Sequence, residues 1–345
     1  MPKPKRIPLK LATLPAPRAS WESPAPAAPS APPEVRSFPP TQPVARFFGV
    51  PFLKGGAREV TAIHLCPERV HLATIRDGSK LEVSNRLTLS RLELGGLTFA
   101  RMIAFRPRQG TGTSIELAIV GPPDQPEITR FDVQAGQPLA GLPLQAVTAL
   151  AYSCDGRFAA AGNRDGKVQV WLLGPGHPTP VLSAGFEAQV ESLAFHAEHP
   201  TVYATLATGA LVQLELAPSP AVDAVQALRH SAPGVLVHRV TTGRRGYSIY
   251  LAGRDDQVYV LDTATGEVGL FSPNVGPITG LQILPASGHL CVLGPRSVYL
   301  IDPVGPSQQE HLALVCPFDD PIYAAWELDG EAVLVFHAAE GALSA

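Results

Sequence analysis

Residues 162–171 read GNRDGKVQVW, and two architectures compete for them. Gly162 to Lys167 could be a phosphate-cradling loop, or Asp165-Gly166 could be the turn of a β-hairpin. A phosphate loop needs four residues between its glycines, a Ser or Thr after the Lys, and a helix to follow. Here three residues intervene, Val168 follows the lysine, and KVQVWLL alternates as a strand does. The hairpin reading is therefore adopted, because Asp-Gly between alternating strands is a turn whose residues tolerate positive φ.

Outward from this hairpin the same grammar recurs. An apolar strand (VTALAYS) meets a polar turn (CDGR), a small-residue strand (FAAAG), a tight turn (NRDG) and an alternating strand (KVQVWLL). Comparable openings stand at Val60 (VTAIHL), Arg101 (RMIAFR), Val147 (VTALAY), Val190 (VESLAF), Val235 (VLVHRV), Ile278 (ITGLQI) and Ile322 (IYAAWE), 41 to 46 residues apart. Long helical periodicity is absent after about residue 58, so the fold class is all-β, built from many short strands.

Unit three, VTALAYSCDGRFAAAGNRDGKVQVW, resembles a WD40 repeat, and unit four, VESLAFHAEHPTVYATLATGALVQLEL, resembles a more diverged one. The resemblance runs over roughly residues 58–345 and implies a β-propeller of seven four-stranded blades, starting near 60, 101, 147, 190, 235, 278 and 322. Only GALSA follows the last unit's second strand, EAVLVFH, so residues 45–53 (ARFFGVPFL) are expected to complete that blade. The family's blades carry a hydrogen-bonded His, Ser or Thr, Asp and Trp set. Asp165 and Trp171 match it, while Ala161 stands at the hydroxyl position and Pro143 or a neighbour at the His position. Glu215 takes the Trp place of unit four, and units five and six offer Leu261-Asp262 and Ile301-Asp302. A full network cannot form, so Asp165, Trp171, Asp262 and Asp302 are read as structural remnants, with stability resting on apolar packing between sheets.

Composition separates a tail from this body. The first 45 residues hold 13 of the 36 prolines and a charge of +4; the remaining 300 carry −7. Residues 1–44 are expected to be a disordered, Pro-rich, basic tail, since such a segment cannot bury enough apolar surface to offset ordering, and 45–345 the propeller. An acidic body lacks the clustered Lys and Arg that phosphate backbones require, so nucleic acid is not an expected partner. Cys66, Cys154, Cys291 and Cys316 form no C-x-x-C pair and are read as reduced thiols. No apolar run resembles a signal peptide or membrane span, so a cytoplasmic protein without membrane insertion is expected.

Candidate chemistry is sparse. His196-Ala-Glu-His199 could be a metal pair, but no third ligand is apparent and a solvated turn explains it better, as it does His64 and His71. No G-x-S-x-G, H-E-x-x-H or helical S-x-x-K is present. Channel carboxylates reduce to Glu59, Glu191, Asp319 and Asp320. Arg76, Arg164, Arg254 and Arg296 occupy comparable places beside second hairpin turns and could bind an acidic or peptide ligand. Arg244 and Arg245, between the first two strands of unit five, are a second contact candidate on the opposite face. Arg36 to Pro43 permits a polyproline II stretch, with a linker the plainer reading. The expectation is a noncatalytic scaffold or adaptor binding one or more proteins or peptides, with no metal or cofactor; the alternative is a propeller enzyme or ligand sensor using the central channel.

Overall fold

The computed structural model describes residues 46–340, except 55–59, 69, 77–78, 86, 89, 95–98, 109–113, 175, 217–226, 231–236, 244–247, 263–267, 272, 274, 285–287, 303–310, 318–321 and 330–331. The tail, residues 1–44, lies outside the described residues. A first strand, β1 (Arg46–Lys54), precedes the blades. Blade 1 is β2 (Val60–Leu65), β3 (His71–Arg76), β4 (Lys80–Asn85) and β5 (Arg91–Leu94). Blade 2 is β6 (Met102–Phe105), β7 (Glu116–Val120), β8 (Ile128–Asp132) and β9 (Gln137–Leu142). Blade 3 is β10 (Val147–Tyr152), β11 (Phe158–Asn163), β12 (Lys167–Leu172) and β13 (Thr179–Gly185). Blade 4 is β14 (Val190–Phe195), β15 (Thr201–Leu206), β16 (Leu211–Glu215) and β17 (Ala227–His230). Blade 5 is β18 (Val237–Thr242), β19 (Ser248–Gly253), β20 (Val258–Asp262) and β21 (Val268–Phe271). Blade 6 is β22 (Gly280–Ile283), β23 (Leu290–Leu293), β24 (Ser297–Asp302) and β25 (His311–Pro317). Last come β26 (Ile322–Asp329) and β27 (Ala332–Glu340).

Each blade is an antiparallel meander in chain order. Among the described residues six four-stranded blades form where seven were expected; the remaining sheet has three strands, in the order β1-β27-β26. The reason lies in β1, which runs along β27 itself and pairs with it in parallel, Arg46 opposite Ala332 and Lys54 opposite Glu340. A strand delivered from elsewhere in the chain is not bound by a hairpin to run antiparallel. First strands touch in succession from β2 to β6, β10, β14, β18 and β22, and β26 touches both β2 and β23.

Packing between blades explains the sequence pattern. In β15 all six residues are buried: Val202, Ala204 and Leu206 join the layer against blade 3, and Tyr203 the layer against blade 5. Strand β7 divides likewise, Leu117 and Ile119 facing blade 1 while Ala118 and Val120 face blade 3. A sheet covered on both faces needs apolar residues at successive positions, so period-two alternation fades in these second strands. Trp171 is fully buried among Ala159, Ala161, Val147 and blade 2 residues, the small alanines leaving room for its ring. Emptying such a site costs about 3–5 kcal/mol for Trp→Ala.

The opening hairpin forms with a different turn. Arg164, Asp165 and Gly166 make a three-residue connection between β11 and β12, and only Gly166 has positive φ, at 80°. Such loops place one left-handed residue at the end of a type I turn. A Cβ on Gly166 would lie 2.1 Å from the Phe186 carbonyl oxygen, so space also demands glycine there. Asn163 accepts the Lys167 N–H at 2.8 Å and ties the turn down. Among the described residues no helix is long and apolar enough to cross a membrane.

Candidate functional site

The turns between second and third strands share one face of the ring with the loops leading into first strands. We term it the upper face; turns between first and second strands and between third and fourth strands make the lower face. On the upper face the sequence-predicted arginines resolve into a matched pair and two offsets. Arg164 and Arg254 follow the residues that oppose the first residue of their blades, Asn163 opposite Val147 and Gly253 opposite Val237. Arg76 itself opposes Val60, one register position earlier, and its side chain lies outside the described residues. Arg296 sits in a shorter turn closed by the Gly294 N–H on the Ser297 carbonyl.

Their environments differ as well. Arg254 donates to Glu191 Oε1 at 2.9 Å and to the Ala207 carbonyl at 3.3 Å, joining blades 4 and 5. Its side chain is 45% exposed, so this pair contributes at most about 1 kcal/mol. Arg164 and Arg296 are exposed, and among the described residues neither guanidinium meets an acceptor. Phe99 is 71% exposed with φ at 45°, and Ala146 and Asp256 have φ at 51° and 63°. All three belong to the upper face, and a side chain held there costs roughly 1–3 kcal/mol.

A feature missed at the sequence level lines the inner edge of the ring. In blades 1, 3, 4 and 5 a β-bulge falls at the second residue of the first strand, between Val60 and Ala62, Val147 and Ala149, Val190 and Ser192, and Val237 and Arg239. Bulges bend a strand and re-aim a side chain. Thr148 Oγ1 reaches forward to the Val190 carbonyl at 2.5 Å, and His238 Nε2 donates to the Ile278 carbonyl at 3.0 Å. Glu191, at the same position, takes Arg254 from the next blade. The available signal was the polar residue repeated after each opening Val or Ile: V-T, V-E, V-H, I-T.

The lower face holds a buried ionic cluster, also missed. Glu116, 4% exposed, accepts Arg130 Nε at 2.6 Å and Nη2 at 2.7 Å, Arg106 Nη1 at 2.9 Å and the Tyr152 hydroxyl at 3.1 Å. Arg106 donates onward to the Gly156 and Leu173 carbonyls of blade 3, and Arg130 to the Ala140 carbonyl. Burial alone would raise the Glu116 carboxyl; the two guanidiniums outweigh it and hold the group below its ordinary range. The Tyr152 phenol is pushed well up by burial and by Glu116. Every strong donor and acceptor here is engaged, which makes this a clamp between blades 2 and 3.

The remaining candidates have structural roles or fall outside the described residues. His196 Nδ1 accepts the Glu198 and His199 amides at 3.1 and 2.9 Å, so it caps the turn that the histidine pair occupies. Asp165 is exposed, Trp171 Nε1 meets no partner among the described residues, and Asp262 is half-buried opposite Ser248. The Asp302 side chain, Arg244, Arg245, Glu59, Asp319 and Asp320 lie outside the described residues. Among the described residues no three His, Cys, Asp or Glu side chains group so as to hold a metal ion. Cys66, Cys154 and Cys291 are free thiols, and burial pushes Cys291 up to about 12, which removes its nucleophilic thiolate.

No protein-family model matches the sequence, and no curated protein matches it. Among solved structures the chain is similar to the β-propeller domain of Myceliophteria thermophila Cps50 (Swd1), with a TM-score of 0.55 and 13% identity over 70% of this chain and 82% of that one. At that identity the likeness speaks for the fold alone, and it agrees with the meander blades, their regular spacing and their double-sided packing: the chain is a β-propeller.

Proposed function

We propose that this protein is a noncatalytic interaction scaffold that docks a protein or peptide partner on the upper face of its propeller. The observation that carries the reading is Arg164 and Arg296, exposed and without an acceptor among the described residues, on the face that also holds exposed, positive-φ Phe99. Arginines free to form bidentate hydrogen bonds, on the same face as an exposed aromatic, suit a partner carrying carboxylates and an apolar side chain. Arg254 belongs to the same surface but is engaged by Glu191, so its part is to hold blades 4 and 5 in register. Arg76, at the end of β3 in blade 1, is a further candidate contact for the same partner, and Arg244 and Arg245 are candidates for a second one. The basic tail adds a tether that raises avidity for a partner already docked.

The test is a tagged pull-down from native cells with mass spectrometry, using the wild type, the double variant Arg164→Glu with Arg296→Glu, and a chain beginning at Ala45. Partners lost in the charge-reversal variant at an unchanged melting temperature support the upper face. Partners retained by that variant exclude it, and partners lost only on truncation make the tail the recruiter.

A further inference from the structure

A cavity lies on the lower face between blades 1 and 2, opposite the face that carries those arginines. Its volume is about 450 Å³, within the range of small-molecule sites. Val83 and Leu92 from blade 1 and Ile115 from blade 2 supply apolar walls, and His71, Arg91 and Arg108 line it as well.

Two of these polar groups are left with hydrogens to give. Asn85 Oδ1 accepts the Leu87 and Thr88 amides at 2.9 and 3.0 Å, which fixes the amide orientation and turns Nδ2 toward His71 Nε2 at 3.2 Å. Nε2 of His71 is therefore an acceptor, and the proton of the neutral ring sits on Nδ1. That Nδ1 is buried with no partner among the described residues, and so is Nε of Arg108. The nearby Glu68 carboxylate takes the Arg108 backbone N–H at 3.1 Å, with no ion pair to the guanidinium among the described residues. Arg91, at the rim and largely exposed, pairs at 3.4 Å with Glu82, a weak contact that it can give up. Burial and the Arg108 charge push His71 down and the Glu68 carboxylate pushes it up, with a net shift downward toward a neutral ring.

Buried donors without acceptors are costly, and both side chains line the cavity, where an anion meets them once they turn toward it. We propose that the groove between blades 1 and 2 binds a small organic carboxylate, its apolar body against Val83, Leu92 and Ile115 and its carboxylate taken by Arg108, His71 and Arg91. The apolar residues of a mixed lining give the body its contacts, and His71, Arg91 and Arg108 on the same lining give the charge its donors.

Amide-detected NMR of the full chain tests this with three probes: 3-phenylpropionate, 3-phenylpropanol (body without charge) and inorganic phosphate (charge without body). The expected result is saturable shifts at Val70, Ser90, Ile115 and Gln134 with phenylpropionate, at least tenfold weaker with either control. Arg108→Gln should weaken phenylpropionate binding at least tenfold. Ser90→Trp, placed at the exposed rim where folding is not at stake, should block it too. Equal shifts from the alcohol, equal binding of phosphate, shifts confined to the upper face, no shifts, or full binding by both variants would each overturn the assignment.

Discussion

Arg106 and Arg108 follow strand β6 two residues apart, yet one closes a structure and the other leaves one open. Arg106 bonds Glu116 and two blade 3 carbonyls, and the cluster it joins has Arg130 bidentate on the same carboxylate. Arg108, on the blade 1 side, keeps a buried Nε–H with no acceptor among the described residues and faces a cavity. The difference teaches how to read buried charge in this molecule. Where every donor meets an acceptor the arginine fixes blade to blade; where one does not, the missing acceptor is a ligand's to supply.

The largest expected effect breaks the satisfied side. Arg130→Gln leaves Glu116 buried beside a single guanidinium and should cost about 3–5 kcal/mol, read as a drop in the urea midpoint. If the variant is as stable as the wild type, the cluster is not the clamp described. The next effect is acid sensitivity across the blade 1 and blade 2 interface. His64, with its ring 5.9 Å from Phe105, is pushed by burial down to about 4 from the usual 6.5. The unfolded chain binds the extra proton first, so this stability is intact above pH 6.5 and is lost as pH falls toward 4, by roughly 3 kcal/mol in all. Melting temperatures of His64→Gln should flatten over that window. They should still fall at lower pH, where the depressed Glu116 carboxyl takes up its proton.

Smaller changes sharpen the contrast. Tyr152→Phe removes one hydrogen bond to a charged acceptor and should cost about 1.5–3 kcal/mol, less than Arg130→Gln because both guanidiniums remain. Arg108→Gln should move the midpoint by under about 0.5 kcal/mol, since it deletes an unmet donor rather than a met one. A loss matching that of Arg130→Gln would make Arg108 structural and erase the distinction between the two arginines.

The repeat was legible because strand openings and turns punctuate it: V-T-A-L-A-Y has counterparts in V-T-A-I-H-L and V-E-S-L-A-F, and R-D-G in R-D-D, at a blade-sized spacing. The end of the ring was half legible. ARFFGVPFL reads as a strand, but nothing local states which neighbour it takes or in which direction, and the structure sets it parallel to β27. The turn at Arg164 was misjudged by one residue because an Asp-Gly dipeptide does not reveal whether Asp165 shares the positive φ of Gly166. Arg76 looked equivalent to Arg164 for the same reason, since a one-residue offset is invisible until the ladder is paired. The Glu116 cluster joins residues from β7, β8, β10 and the end of β6, and no spacing rule links such a set. The bulges were within reach, as a polar residue stands second in V-T, V-E and V-H, but that position reads as ordinary alternation until its side chain is seen to cross to the next blade.

The parallel pairing of β1 with β27 gives the molecule a direction of opening. Arg46 beside Ala332 closes a loop spanning nearly the whole ring, so this contact carries more chain entropy than any hairpin in the blades. Amides of β1 and β27 should therefore exchange with solvent hydrogen through partial opening, well before those of β15, whose residues are covered on both faces. Once the seam parts and β26 also leaves β2, the circle becomes a line of blades with two raw ends, each offering an uncovered sheet to the next molecule. Resistance to self-association would then depend on one latch more than on the stability of any single blade.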